Sequence, residues 1–314
     1  MKHTKNGVGT ATGKIILIGE HSVVYGEPAI AFPFPAANVT TVAVPSETMT
    51  IDCTYYSGAV SHIPASLKNI REAMFQTLKH LNKHDSFSFT ITSTIPPERG
   101  MGSSAAVAVS VIRSLFDYYE YPYTMDELTE LISHSEKIAH GNPSGIDGAA
   151  ASGSQPLFFI KGEPLQTFPM DLKHAFLIVA DTGIKGQTRE AVQDVARLFE
   201  GDKKDIGRSI QDLGGLTLES RTAILDQNIQ QLGHAMDRAQ AILSTLAVSH
   251  PVIDRLVDAA KASGALGAKL TGGGRGGCVI ALADSRQTAQ TIATAFEQNG
   301  AVATWIQSLE GKQA

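Results

Sequence analysis

Gly13-Lys14-Ile15-Ile16-Leu17-Ile18-Gly19-Glu20-His21-Ser22-Val23-Val24-Tyr25-Gly26-Glu27-Pro28-Ala29-Ile30-Ala31 is the stretch on which the fold turns. Its apolar run, Ile15 to Ile18, has the length of a short strand. Lys14 precedes the run, and Glu20 and His21 follow it on a glycine hinge at Gly19. A strand that ends in charged groups beside glycine presents them at one edge of a sheet, where a small anionic substrate can meet them. A solvated strand end explains any one of these residues alone. Their concentration between positions 14 and 21 argues for a site.

The frame around this stretch is that of a globular protein. The chain has 314 residues, 43% hydrophobic and 18% charged, enough for one large domain or two of ordinary size. A net charge of −5, spread without long runs, argues against nucleic acid or an anionic membrane as the main partner. The two cysteines, Cys53 and Cys278, lie far apart, which fits a reducing cytoplasm and no disulfide framework. The first apolar run is too short for a signal peptide, and no stretch approaches the roughly 20 apolar residues of a membrane span.

Outward from the opening stretch, periodicity gives the elements. Leu67, Ile70, Met74, Leu78 and Leu81 recur at helical spacing and predict a helix over Pro64 to Asn82. Phe87 to Thr92 alternates as a half-buried strand. A helix is expected from Ser104 to Tyr118. Thr124 and Glu127 form a capping box for another, running to His140. Gly141-Asn142-Pro143 reads as a stop followed by a new start. The second half predicts a strand at Phe176 to Ala180, helices to Ser263, strands at Ala265 to Leu270 and Cys278 to Ala283, a helix at Ser285 to Asn299, and a strand at Val302 to Gln307. That order is the split β-α-β of ferredoxin-like domains, with extra helices in its first crossover. Trp305, on the last strand, is expected in the core. The predicted class is α+β, in two domains of residues 1–174 and 175–314.

Two glycine-rich loops suit phosphate. Pro96-Pro97-Glu98-Arg99-Gly100-Met101-Gly102-Ser103-Ser104-Ala105-Ala106 follows a strand and opens a helix. Unpaired N–H groups and the positive helix end favour an anion there, and Ser103 and Ser104 add hydroxyls. Turn and cap preferences alone also explain such residues. Lys269-Leu270-Thr271-Gly272-Gly273-Gly274-Arg275-Gly276-Gly277-Cys278 joins two predicted strands, and so many glycines point to close approach of a ligand. The chain has neither Gly-x-x-x-x-Gly-Lys-[Ser/Thr] nor the protein-kinase motif set. Between the loops, Glu136 and Asp147 are acids on separate helices, able to serve one cleft without forming an adjacent like-charge pair. Phosphoryl transfer needs such groups, since metal and cations neutralise the phosphates and a carboxylate often orients the hydroxyl. His80 and His84 lack nearby acid or thiol ligands, so no zinc site is expected.

These motifs resemble, in order, the signatures of the galactokinase, homoserine kinase, mevalonate kinase and phosphomevalonate kinase (GHMP) superfamily. The continuation Ser22-Val23-Val24-Tyr25-Gly26-Glu27-Pro28-Ala29, and His140-Gly141-Asn142-Pro143-Ser144-Gly145-Ile146-Asp147, are similar to its mevalonate kinase branch. The loop at 96–106 is similar to the superfamily's nucleotide loop with Met101 for leucine, and the run at 269–278 to its third signature, from whose all-small pattern Arg275 departs.

The resemblance implies a ribosomal-S5-like first domain, a ferredoxin-like second domain, and an ATP- and Mg²⁺-dependent kinase for the 5-hydroxyl of mevalonate. It implies ATP contacts at Pro97, Gly100, Met101, Gly102, Ser103, Ser104 and Ala105, and at Gly272, Gly273 and Gly274. It implies Asp147 as base or orienting group with Lys14 beside it, and Mg²⁺ on Glu136 and Ser104. Glu20, His21, Ser144 and Thr182 are the implied substrate contacts, His21 suiting a carboxylate or a hydroxyl. A homodimer rests on the same analogy. A sister kinase for phosphomevalonate or a sugar, and a catalytically silent ligand sensor, are the competing expectations.

Overall fold

A computed structural model describes residues 5–140 and 145–311, with only the backbone of Ala139 and His140. The chain forms two compact units that interleave along the sequence. Unit one holds the residues up to Lys14, Pro33–Pro96 and Gly102–Gly153. Unit two holds Ile15–Phe32, Pro97–Met101 and the chain from Ser154 onward. The expected division at 174/175 falls inside unit two, which takes the chain from Ser154 onward together with two earlier segments.

In unit one, β1 (Gly7–Ile18) pairs with β2 (Ala29–Ser46), and both run on into unit two. β2 pairs antiparallel with β5 (Ser86–Ser93), with Val39 opposite Ser93. β3 (Thr50–Cys53) lies parallel to β5 and antiparallel to β4 (Tyr56–Ala59). The helices are α1 (Lys68–His80), α2 (Ser103–Tyr118), α3 (Met125–His140) and α4 (Ile146–Ser152). The Thr124–Glu127 capping box opens α3 as expected: Thr124 N–H donates to Glu127 Oε2 at 2.7 Å and Glu127 N–H to Thr124 Oγ1 at 3.2 Å.

The first half of β1 inverts the usual strand pattern: Gly7, Gly9, Ala11 and Gly13 are buried, and Val8 and Thr10 are exposed. The glycines let α2 lie directly on the strand. A Cβ at Gly9 would meet Ser110 O at 2.0 Å, and one at Gly7 would meet Ser114 O at 2.0 Å. Arg113 Nη1 donates to Thr10 O at 2.8 Å and fastens the same contact. Phe34, Phe87, Phe89, Met74, Ile112 and Phe116 form the buried core of this unit.

In unit two, β6 (Leu157–Phe159) pairs with Ala29–Ala31 of β2 and with β7 (Gln166–Thr167). β8 (Phe176–Asp181), β9 (Gly267–Thr271), β10 (Cys278–Ala283) and β11 (Ala303–Ser308) form an antiparallel sheet in the order β11-β8-β10-β9. That is the ferredoxin-like order. The first crossover carries α5 (Thr188–Gly201), α6 (Asp205–Leu225), α7 (Ile229–Thr245) and α8 (Pro251–Ala262), and the second carries α9 (Arg286–Gln298). β8 and β10 are apolar and buried along nearly their whole length, as central strands covered on both faces must be. Trp305, expected in the core, is half-buried on the outer strand β11 opposite Val179. No helix among the described residues is long and apolar enough to cross a membrane.

Candidate active site

Unit one gathers a cation and two carboxylates. Lys14 is buried on β1, and its Nζ lies 2.9 Å from Oδ1 of the partly exposed Asp147 in the first turn of α4. Glu136, buried on α3, has no hydrogen bond or ion pair among the described residues. Its Oε2 lies against Gly148, where a Cβ would stand 3.5 Å away. Burial first, and the charge of Asp147 second, push the Glu136 carboxyl up to about 7, against the opposing pull of Lys14. A carboxylate this enclosed, next to another acid, favours a second cation.

The first turn of α2 supplies donors. Gly102 takes the left-handed cap position at φ 69°, and a Cβ there would crowd Lys14 Cβ at 3.3 Å. No side chain caps this helix, so the N–H groups of Ser103, Ser104 and Ala105 remain for an incoming anion. Ser104 Oγ accepts from Asn69 Nδ2 at 2.9 Å, and Asn69 O accepts from Ser135 Oγ at 2.9 Å. Asn69 thus ties Ser104 to the helix that carries Glu136. Sequence reasoning missed Asn69. Its signal was a polar side chain on the apolar face of α1, beside Ile70, Ala73 and Met74.

Unit two holds the remaining predicted residues. Pro97 is exposed and Met101 buried, and Gly100 packs on Gly272, whose added Cβ would lie 3.4 Å from Gly100 Cα. Arg99 holds this segment, donating from Nε to Asp181 Oδ1 at 2.8 Å and from Nη2 to Gly183 O at 3.0 Å. Within the glycine hairpin, Gly272 and Gly274 have φ of 80° and 75°. Gly273 O lies 3.0 Å from Nε2 of the buried His21.

Burial holds the His21 imidazole down at about 4, so the ring is neutral at physiological pH. A carbonyl oxygen only accepts, hence Nε2 carries the proton and Nδ1 is a bare acceptor. Nδ1 is buried and has no partner among the described residues. A neutral ring in this tautomer can accept a hydrogen bond at Nδ1 but cannot donate one there.

Glu20 is buried in an ion pair with Lys269 of β9. Thr182 is buried too, its Oγ1 donating to Gly277 O at 2.7 Å and accepting from Ile184 N–H at 3.2 Å. Its hydroxyl anchors the glycine hairpin. Ser144 and the Gly141-Asn142-Pro143 break lie outside the described residues. Among the described residues no three His, Cys, Asp or Glu cluster into a metal cage.

A model described as GHMP kinases N terminal domain matches residues 67–155, and one described as GHMP kinases C terminal matches residues 220–302. The mevalonate kinase of Pyrococcus abyssi (strain GE5 / Orsay) is 32% identical over 317 residues, spanning 93% of this chain and 92% of that protein. The crystal structure of L. major mevalonate kinase in complex with R-mevalonate superposes with a TM-score of 0.84 at 25% identity, covering 99% of this chain and 97% of that one. Mevalonate kinase from methicillin-resistant Staphylococcus aureus MRSA252 is 35% identical with a TM-score of 0.75, over 98% of this chain and 100% of that one.

Proposed function

The chain belongs to the mevalonate kinases of the GHMP kinase family and transfers phosphate from ATP to the 5-hydroxyl of mevalonate, and we propose that Lys14, Glu136 and Asp147 carry the chemistry. The observation that supports this assignment is the Lys14–Asp147 ion pair beside the buried Glu136 carboxylate, whose burial outweighs the pull of Lys14.

Asp147 accepts the proton of the 5-hydroxyl as its oxygen bonds to the transferring phosphorus and the bond to ADP breaks. Lys14 fixes the direction of that carboxylate and offsets the charge growing on the phosphoryl oxygens. The first-turn N–H groups of α2 bind phosphate oxygens, and Gly102, lacking a side chain, lets them approach. In unit two, His21 Nδ1 accepts a hydrogen bond from a substrate hydroxyl.

Glu136 and Ser104 fit Mg²⁺, which takes one or two protein carboxylates and completes its shell with phosphate oxygens and water. Bound there, Mg²⁺ would supply the charge that Glu136 lacks and screen the phosphates. Among the described residues of this unit's predicted site, Glu136 is the buried carboxylate without an ion pair, which is why the metal role falls to it and not to Asp147.

A coupled ADP-release assay with mevalonate, phosphomevalonate, galactose and homoserine in parallel tests the assignment. Mevalonate should be preferred by kcat/KM, and a preference for any other acceptor would overturn it. A silent sensor on this fold is disfavoured by the assembled Lys14–Asp147 pair.

A further inference from the structure

Lys269 has no part in the chemistry above, yet it is the most deeply buried cation among the described residues, with 0% of its surface exposed. Its ammonium donates to Glu20 Oε1 and to Leu270 O, the latter at 2.7 Å. Glu20 is as enclosed as its partner. Burying two charges carries a large desolvation penalty, and such a pair seldom adds net stability over an apolar one of equal volume. Burial indeed pulls the Lys269 ammonium below its ordinary range, with Glu20 pulling the other way.

The geometry suggests what the pair is for. Residues 269, 271 and 273 alternate along β9 and into the glycine hairpin, and each holds the segment between Ile16 and His21. Lys269 binds Glu20, Thr271 Oγ1 donates to Ile16 O at 2.8 Å, and Gly273 O accepts from His21 Nε2 at 3.0 Å. The segment so held is unusual, because His21 sits at φ 63° and ψ −44°, a positive-φ conformation that a β-carbon disfavours. Such a conformation persists only where its surroundings over-determine it.

Resting on the mevalonate kinase assignment, we propose that Lys269 is a positioning residue: through Glu20 it holds the His21 turn to the glycine hairpin, so that His21 Nδ1 faces a substrate hydroxyl as an acceptor. The pair sets one ring orientation and one tautomer, which an apolar contact, being non-directional, does not.

The test uses the full-length protein as Lys269→Met and as Glu20→Gln/Lys269→Met. The single variant leaves a buried carboxylate without its cation and should melt well below wild type. The double variant removes both charges at nearly constant shape and should regain most of that loss. It should not regain turnover: kcat/KM for mevalonate should stay down by about tenfold or more, while half-saturation by MgATP stays within about twofold. In ¹H–¹⁵N spectra of the imidazoles, with His21 assigned by a His21→Gln variant, wild type should show a neutral ring protonated at Nε2, and the double variant a mixture of tautomers.

A folded double variant with wild-type kcat/KM and a fixed His21 tautomer overturns the proposal. So does a loss shared equally by mevalonate and MgATP, or a double variant that melts no higher than Lys269→Met, since the pair would then be a stability element. Wild-type protein that fails to phosphorylate mevalonate would sink the assigned reaction instead, and the tautomer measurement would still decide the role of Lys269.

Discussion

The guanidinium of Arg275 pairs with Asp194 of α5, and its Nε and Nη2 donate to Ala247 O, so the one large side chain of the glycine hairpin is engaged by its neighbours in unit two. The pairing holds the Asp194 carboxyl below its usual range. Arg275 has φ 56°, where glycine is more comfortable.

Arg275→Gly therefore loses a partly exposed ion pair, which contributes little to stability, and relieves opposing backbone strain. Melting temperature should move by only about 4 °C or less, and kcat by less than about tenfold. A hundredfold fall in kcat would assign Arg275 a direct role.

Asp147→Asn keeps shape and hydrogen-bonding capacity but removes the proton acceptor. Its kcat should fall on the order of 10²–10⁴-fold with MgATP affinity nearly intact. The variant should still fold, with its melting temperature lowered at most modestly, since Asp147 is partly exposed and the asparagine oxygen can still accept from the buried Lys14. Retained turnover would end the assignment.

Glu136 links pH to both metal and stability. Its carboxyl is raised from 4.5 to about 7, so a proton competes with Mg²⁺ below about pH 7. Half-saturation by MgATP should thus rise as pH falls from 8 to 6. In Glu136→Gln it should be high throughout and lack that slope.

Without metal the sign of the stability effect reverses the usual carboxylate case. The folded pKa lies above the unfolded one, so the favourable contribution is complete below about pH 4.5 and is lost as pH rises through about 7. Metal-free Glu136→Gln should outlast wild type at pH 8, by on the order of 1–3 kcal/mol, and the gap should close by about pH 5. Denaturant titrations at the two pH values measure it. An equal gap at both would show that Glu136 stays ionised in the empty site.

Gly9→Ala should be among the most damaging substitutions of unit one, since its methyl would meet Ser110 O at 2.0 Å. Moving a strand off a helix backbone costs about 1–3 kcal/mol or more. Gly201→Ala, with open space around its Cβ, is the control and should leave melting unchanged.

The ferredoxin-like half was legible because its strands bury continuous apolar runs, such as Cys278–Ala283, and because Ser285 caps α9 locally, as the Thr124–Glu127 box does for α3 in unit one. The first half of β1, ahead of the predicted Ile15–Ile18 run, and the whole of β2 were hidden for physical reasons. In β1 the buried face is glycine and the exposed face carries Val8, so hydrophobic alternation points the wrong way. In β2, Pro33, Pro35 and Pro45 lack the ladder donor and speak against a strand that nevertheless spans Ala29–Ser46.

At the candidate site, the proximity of Lys14, Glu136 and Asp147 was legible from their motifs. The partners of Glu20 and Ser104 were not: Lys269 lies 249 positions from Glu20 and Asn69 lies 35 from Ser104, and no local pattern links them. A lone lysine inside the apolar strand Ala268-Lys269-Leu270 was the one available sign.

The backbone passes between the two units within β1 and within β2, twice around Pro97–Met101, and again after Gly153. A single proteolytic nick, at any point along the chain, consequently cannot release either unit whole. The same holds for inheritance. One recombination breakpoint cannot trade one unit for a relative's without carrying part of the other.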